Sequence, residues 1–397
     1  MATVVDIEPI FSAPPAADRT RFSTVCDPHE LVRWRSAWQE LDEAVATPME
    51  TFDWISVAAA TFAADGELEI VLAQQGGRLT AAAPLVRVPS PLGGRWHALN
   101  YHRLFEPAEF AASSPAALAE LASEVVSRGR PLVLGRVFGD TATRSAIEQA
   151  SAGRGWLRVG PQASTPWIPL DAAWATPEAQ ISPRRRSDLR RARKHAEQLG
   201  PIEVQNLRPR ENEVDALVDR AFDVERRSWK GESGTALAQN RSGDFYRHYA
   251  RVAARQNKLR IHFLQIGQQD AAMQIGVVHQ RRYWVLKVGY DPPFQRASPG
   301  ILLMVEAIKQ AVAEGLDAYE LLGTVEPWIQ VWTQHEHRCV SLRTYPAGMR
   351  GAGALGEDFA RRACQRVQSA GLRVQHFFRP RTCVSVTEDK QPPDSRA

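Results

Sequence analysis

The chain predicts a mixed α/β fold in which antiparallel hairpins and a β-α-β unit share a sheet flanked by helices. Three observations carry that prediction. Short apolar and β-branched runs alternate with amphipathic runs of helical period, the same order of runs occurs twice, and a strand-loop-helix-strand unit closes the second copy.

The first copy opens with helical periodicity over Leu31 to Leu41 and Asp53 to Phe62. A hairpin follows, Leu68 to Ala73 and Leu79 to Val86 about the turn Gln74-Gln75-Gly76-Gly77. A weaker helix (Ala116 to Arg128) and strand (Pro131 to Leu134) complete it. The second copy has helices over Val214 to Ser228 and Asp244 to Gln256, then strands Leu259 to Leu264 and Ala271 to Val278 about the turn Gly267 to Asp270. This order recurs about 190 residues on, too long for a solenoid repeat and suited to a duplicated domain. Strand Tyr283 to Tyr290, helix Ser298 to Glu314 stopped by Gly315, and strand Ala318 to Leu322 ending at Gly323 form the β-α-β unit.

With the seam near Asp171 to Ser182, the expected organisation is a disordered leader at 1–25, two domains at 26–175 and 176–348, a basic helical extension at 349–387 and a disordered tail at 388–397. With 397 residues, 44% hydrophobic and 24% charged, the composition is that of a globular protein with more than one core. There is no apolar run of about 18 residues and no basic, apolar leader, so a soluble, cytoplasmic protein that does not span a membrane is expected. The four cysteines, Cys26, Cys339, Cys364 and Cys383, lie far apart without C-x-x-C spacing, which implies reduced thiols and no metal site. A net charge of +4 suits an anionic ligand without identifying one.

The most informative segment is Asp291-Pro292-Pro293-Phe294-Gln295-Arg296-Ala297-Ser298-Pro299-Gly300, which joins a strand to a helix. Ser298 suits an N-cap and Pro299 the first helical position. Ile301, Val305, Ile308 and Val312 bury one face, so the helix start is held with its free N–H groups toward the loop. Those donors, the helix dipole and Arg296 make an anion site the size of a pyrophosphate, which coenzyme A carries. The plainer reading is a well-capped helix.

Here the chain resembles the GNAT superfamily, whose pyrophosphate loop reads Q/R-x-x-G-x-G/A. Gln295, Arg296, Ala297 and Gly300 fall on that pattern, and Ser298 stands in place of its first glycine. A closer resemblance is to the cellulose-biosynthesis-associated (CelD/BcsL-like) subfamily. It runs through Glu225-Arg226-Arg227-Ser228-Trp229-Lys230-Gly231, Phe245, Lys287-Val288-Gly289-Tyr290-Asp291, Ser298-Pro299-Gly300, Leu321-Leu322-Gly323 and Trp328 to Trp332, with a fainter match over the first half. The resemblance implies two tandem GNAT-like domains and an acyltransferase using acetyl-CoA or another acyl-CoA, with the donor on Gln295, Arg296, Ala297, Ser298 and Gly300.

Direct transfer from a thioester needs a neutral amine or activated hydroxyl, a polarised carbonyl and a proton for the leaving thiolate. Glu225 and Asp291 are the candidate bases, with a solvated salt bridge as the alternative for each. Lys287 sits in an apolar strand, where an unpaired ammonium is costly, so it binds an anionic group or pairs with Asp291 or Glu225. Trp229 and Lys230 form either an acceptor-pocket wall or a core cap. Tyr290 lines the acceptor side, and either it or Tyr319 is the proton donor. His335 and His337 are expected to face solvent.

The helix from Ser182 to Gly200 presents a broad basic face, Arg184-Arg185-Arg186 and Arg190-Arg191-Ala192-Arg193-Lys194, suited to RNA phosphates, an anionic membrane or water alone. Architecture of this kind also resembles Fem-type aminoacyl-tRNA-dependent transferases, so a tRNA-using enzyme is the second reading. A non-catalytic scaffold in exopolysaccharide assembly, with an occluded donor groove, is the third. The extension from Leu355 to Arg379 suits packing, a homodimer or peripheral membrane contact. The acceptor, a small molecule or a saccharide precursor, is left open by the spacing.

Overall fold

The structure is a computed structural model that describes residues 19–91, 93–228 and 240–377. In chain order the strands are Arg21–Val25 (β1), Glu67–Gln75 (β2), Arg78–Val88 (β3), Arg95–Ala98 (β4), Ala111–Ala112 (β5), Leu132–Phe138 (β6), Gly155–Pro169 (β7), Ile202–Leu207 (β8), Leu259–Ile266 (β9), Gln269–His279 (β10), Arg282–Tyr290 (β11), Ala318–Glu320 (β12) and Glu336–Pro346 (β13). The α-helices are Pro28–Leu31 (α1), Arg35–Ala44 (α2), Phe52–Phe62 (α3), Leu99–Leu104 (α4), Pro115–Ser127 (α5), Ala142–Ser151 (α6), Pro183–Leu199 (α7), Val214–Arg227 (α8), Arg241–Arg255 (α9), Pro299–Ala313 (α10) and Met349–Phe377 (α11).

Several helix starts follow from local chemistry. Ser114 and Ser182 each precede a proline and accept from the N–H three residues on, Ala117 and Arg185. Thr51 and Asn240 cap α3 and α9 in the same way, accepting from Trp54 and Gly243.

All strands join one mixed sheet, ordered β1-β2-β3-β4-β6-β13-β7-β12-β11-β10-β9-β8, with β5 paired to β3. This order reads alike from both ends. Each flank is an antiparallel run closed by one parallel pair, β4 with β6 and β11 with β12. At the centre the last strands are exchanged. β7 follows β6 in sequence yet pairs with β12, and β13 follows β12 yet pairs with β6, while β7 and β13 pair with each other from Glu336↔Pro166 to Pro346↔Gly155.

Helices cover both faces, as the alternation of element types predicts. On one face α2, α3, α8 and α9 share a single core that runs across the molecule. Trp54 of α3 is its anchor. Its fully buried ring meets Phe245 and Tyr249 of α9 edge-on at 4.8 and 4.7 Å. On the other face α5 and α6 cover the β2–β6 side, and α7 and α10 cover β9–β12. Helix α11 docks through buried charge: Asp358 pairs with Arg95 at 2.7 Å and Arg343 at 3.0 Å and accepts from the Tyr345 hydroxyl.

One expectation about the chain's organisation needs correction. Arg21–Val25, assigned to the leader, is edge strand β1, because its short run alternates across β2 from Arg21↔Gln74 to Val25↔Ile70. Strands β7 and β13 were not anticipated. Residues 1–18 of the leader, residues 378–387 of the extension and the segment 388–397 lie outside the described residues. Among the described residues no helix is long and apolar enough to cross a membrane, and no group of three or more His, Cys, Asp or Glu could hold a metal ion.

Trp54→Ala should lower the unfolding free energy by about 3–5 kcal/mol, measured by urea denaturation. A second outcome concerns Glu50, wholly buried with its carboxylate accepting from the N–H and hydroxyl of Thr47 at 3.0 and 2.8 Å. Burial pushes its pKa up from 4.5 to about 8, with Glu109 adding to the rise. The folded chain therefore keeps a proton that the unfolded chain has lost, and stability falls as pH rises from about 4.5 to about 8. Glu50→Gln should flatten that part of the stability curve and raise the thermal midpoint at pH 8, read by calorimetry at several pH values.

Candidate functional site

The site begins where two strands part. β11 pairs with β12 only from Arg282↔Ala318 to Trp284↔Glu320, and beyond that it continues to Tyr290 bonded to β10 alone. A bulge marks the divergence: Ile275 faces Lys287 and Gly276 faces Val285, so Leu286 is the extra residue. The bulge brings Leu286 and Lys287 to the same face, Leu286 in the α8–α9 core and the Lys287 ammonium 4.2 Å from the ring centre of Tyr246 on α9. Gly289 follows against the end of α8, where a Cβ would lie 3.3 Å from the Glu225 Cα. Tyr290 turns to the opposite face and packs with Phe294 and Ala297.

From Asp291 the chain enters a 3₁₀ turn, Pro292–Ala297, and then α10. Ser298 holds the N-cap position, but its hydroxyl makes no capping bond, which corrects the expected role. Its backbone is left-handed at φ +46°, which removes the extended geometry a side-chain cap uses; its carbonyl instead accepts from Ile301 and Leu302 at 3.0 and 3.1 Å. Pro299 is the first helical residue. Gln295, Arg296 and Gly300 are exposed, with open space where a Gly300 Cβ would stand, while Ala297 is buried beside Leu302, Leu303 and Ala196 of α7. The basic helix thus packs against the loop, with Arg190 and Lys194 exposed. The arrangement offers the Gly300 N–H, the helix dipole and a guanidinium to an anion.

The two candidate bases differ. Glu225 is 2% exposed at the last turn of α8, beside Gly289. Asp291 is braced: its Oδ2 accepts from Arg227 Nε at 2.7 Å and Gln269 Nε2 at 2.8 Å, and its N–H is bonded to Ala271. Trp229 and Lys230 lie outside the described residues. Tyr319 is closed inside the core, stacked on Tyr283 at 4.9 Å and donating to Gln274 at 2.9 Å, with burial raising its pKa far above the usual value. His337 is only partly exposed, its side chain at 26%. Strand β13 carries it into the sheet centre, where its Nε2 lies 3.1 Å from buried Glu320 and its ring stacks on Trp167 at 5.4 Å.

The sequence reading missed three residues that the fold brings here. Glu106, 5% exposed in the segment between α4 and β5, accepts from the Tyr246 hydroxyl through Oε1 at 3.3 Å, and its buried Oε2 has no partner among the described residues. Burial pushes its pKa up, against the pull of Lys287 and Arg136. Arg136 of β6 donates to Phe105 O at 2.7 Å, to Gly323 O at 3.1 Å and to Leu322 O, tying the Glu106 segment to the end of β12. Arg136 and Leu322 both have positive φ, +55° and +53°, a strain of roughly 1–3 kcal/mol each that the surrounding bonds must hold. Two carboxylates in the apolar run Phe105-Glu106-Pro107-Ala108-Glu109-Phe110 were the available signal. The matching gap between β4 and β6 is filled: the Tyr101 ring lies so close to Gly135 that a Cβ there would come within 2.3 Å of it.

Residues 183–329 match the family model described as an acetyltransferase (GNAT) domain. No curated protein matches the chain. Among solved structures, FemX is similar with a TM-score of 0.54 and 11% identity, covering 81% of this chain and 96% of that one. The C-terminal domain of a lysylphosphatidylglycerol synthetase candidate from Agrobacterium fabrum gives 0.52 and 10%, covering 83% and 96%. A tandem GNAT protein from the clavulanic acid biosynthesis pathway gives 0.42 and 11%, covering 83% and 99%. These are likenesses of fold.

Gly289→Val should press on the Glu225 backbone and on Met273, overpacking that costs about 1–3 kcal/mol. A lowered thermal midpoint that Gly289→Ala shows only weakly is the expected result of differential scanning fluorimetry.

Proposed function

We propose that the chain is an acyl-CoA-dependent N- or O-acyltransferase, with acetyl-CoA the simplest donor and its site in the second half. The observation that carries this reading is the combination of a splayed β11 with an exposed, positively charged loop at the start of α10. The donor pyrophosphate lies on Gln295, Arg296, Ala297, Ser298 and Gly300. The thioester enters the gap between β11 and β12, where N–H groups of β11 no longer bonded to β12 polarise the carbonyl. Glu225 and Lys287 flank the acceptor, Asp291 holds their frame through Arg227, and Tyr290 remains the candidate proton donor for the thiolate. Trp229 and Lys230 belong to the acceptor wall on this reading, and the acceptor is a small molecule or a saccharide precursor in the cytoplasm. The match over 183–329 supports the reaction class. The mirrored strand order supports a tandem duplication of GNAT-like halves, the first with its groove filled by Tyr101.

A second reading, transfer from an aminoacyl-tRNA, is favoured by one observation: α7, whose arginines and Lys194 are largely exposed, packs directly on the anion loop.

Calorimetric titration with acetyl-CoA tests the first reading. Saturable binding is expected, weakened about tenfold in Arg296→Ala by loss of a charge-assisted contact and unchanged in Glu225→Gln. Absence of binding to acetyl-CoA, with retention of charged tRNA on a filter, would replace it with the second.

A further inference from the structure

The interior of the first half delivers a carboxylate to the gap in the second. Glu106 is not on either of the strands that part, yet it is tied to both sides of the gap. On one side Tyr246, which donates to Glu106, sits under the Lys287 ammonium of β11. On the other, Arg136 clamps the neighbouring Phe105 carbonyl together with the Leu322 and Gly323 carbonyls at the end of β12. One carboxylate oxygen is spent on Tyr246; the other, Oε2, is buried without a partner among the described residues. A buried acceptor left bare is unfavourable unless something donates to it.

We propose that Glu106 is the base that receives the proton of a primary ammonium acceptor, so that the acyl group is transferred to nitrogen. This rests on the acyl-CoA reading of the same site. An ammonium brings three N–H donors to Oε2 and must lose a proton before its lone pair can attack. Its acidity, near that of lysine at about 10.4, is within reach of a carboxylate whose pKa burial has raised. A hydroxyl, closer to water at about 15.7, keeps its proton until the moment of attack and brings Oε2 one donor where an ammonium brings three. In the step, the proton passes from the ammonium to Glu106 and the freed nitrogen bonds to the thioester carbonyl carbon. The carbon–sulfur bond then breaks, the departing thiolate takes the Tyr290 phenol proton, the phenol regains the second nitrogen proton, and Glu106 returns its proton to solvent. The charged and titratable groups about it are Lys287 from β11, Arg136 from β6, Tyr246 from α9 and, through Tyr246, Glu225 from α8. Lys287 and Arg136 favour the ionised form that accepts the proton.

The test measures CoA thiol release from acetyl-CoA by the full chain with paired probes, glucosamine against glucose and ethanolamine against ethylene glycol. Only the amine of each pair should stimulate release. Glu106→Gln should lower the amine-dependent kcat about 100-fold while leaving the acetyl-CoA Kd unchanged and the thermal midpoint equal or higher. Glu106→Asp should retain part of the rate and the acidic limb of the pH profile that Glu106→Gln loses. Equal stimulation by the alcohols, no stimulation by any amine in protein that binds acetyl-CoA, or a Glu106→Gln rate within about threefold of the parent would each overturn the assignment. Failure of the unsubstituted protein to bind acetyl-CoA would instead overturn the donor reading beneath it.

Discussion

Everything proposed for this molecule depends on one broken ladder. β11 and β12 share three paired residues and then separate, and a sheet interior tolerates such a gap only where other partners meet the released backbone groups. The bulge at Leu286 begins the divergence on one side, and the turn at Leu322, with Gly323 N–H closing back on Leu321, ends β12 on the other. Arg136 then satisfies carbonyls that the missing ladder leaves over. The gap is therefore a maintained feature, with strain at Leu322 and Arg136 offset by a buried guanidinium.

The contrast with the β4–β6 pair shows what such a gap becomes without a use for it. There Gly135 lacks a side chain, and the Tyr101 ring occupies the space, its hydroxyl accepting from Gln162. Two similar topologies thus diverge through a single aromatic side chain. At one the Tyr101 ring packs against the Gly135 backbone; at the other the ladder simply ends, with Glu225, Lys287 and Glu106 near one another about Tyr246.

Much of this was legible in the residues, and the reasons for the remainder are physical. Amphipathic helices such as α8 and α9, and hairpins such as β2–β3 and β9–β10, announce themselves because their partners are local. The Asp291 to Gly300 loop was legible because Pro299 fixes a helix start, but the Ser298 conformation was not, since a serine normally prefers the extended cap. β7 spreads three prolines and polar alternation over a half-exposed strand, and its partners lie far along the chain, so no local period reveals it. Glu106 has the same difficulty: its meaning comes from Tyr246 and Arg136, which only the fold supplies. His337 looked fully solvated because the strand that half covers it was itself unseen.

The exchanged central strands carry a consequence for how the molecule comes into being. β6 receives its β13 neighbour only after some two hundred further residues have been made, and β7 can be enclosed only by elements of the other half. During synthesis the newly emerged first half must wait with an uncompleted edge, open to pairing with another chain. The middle of the sheet is thus the last part to assemble, and it cannot form until strands from both halves are present.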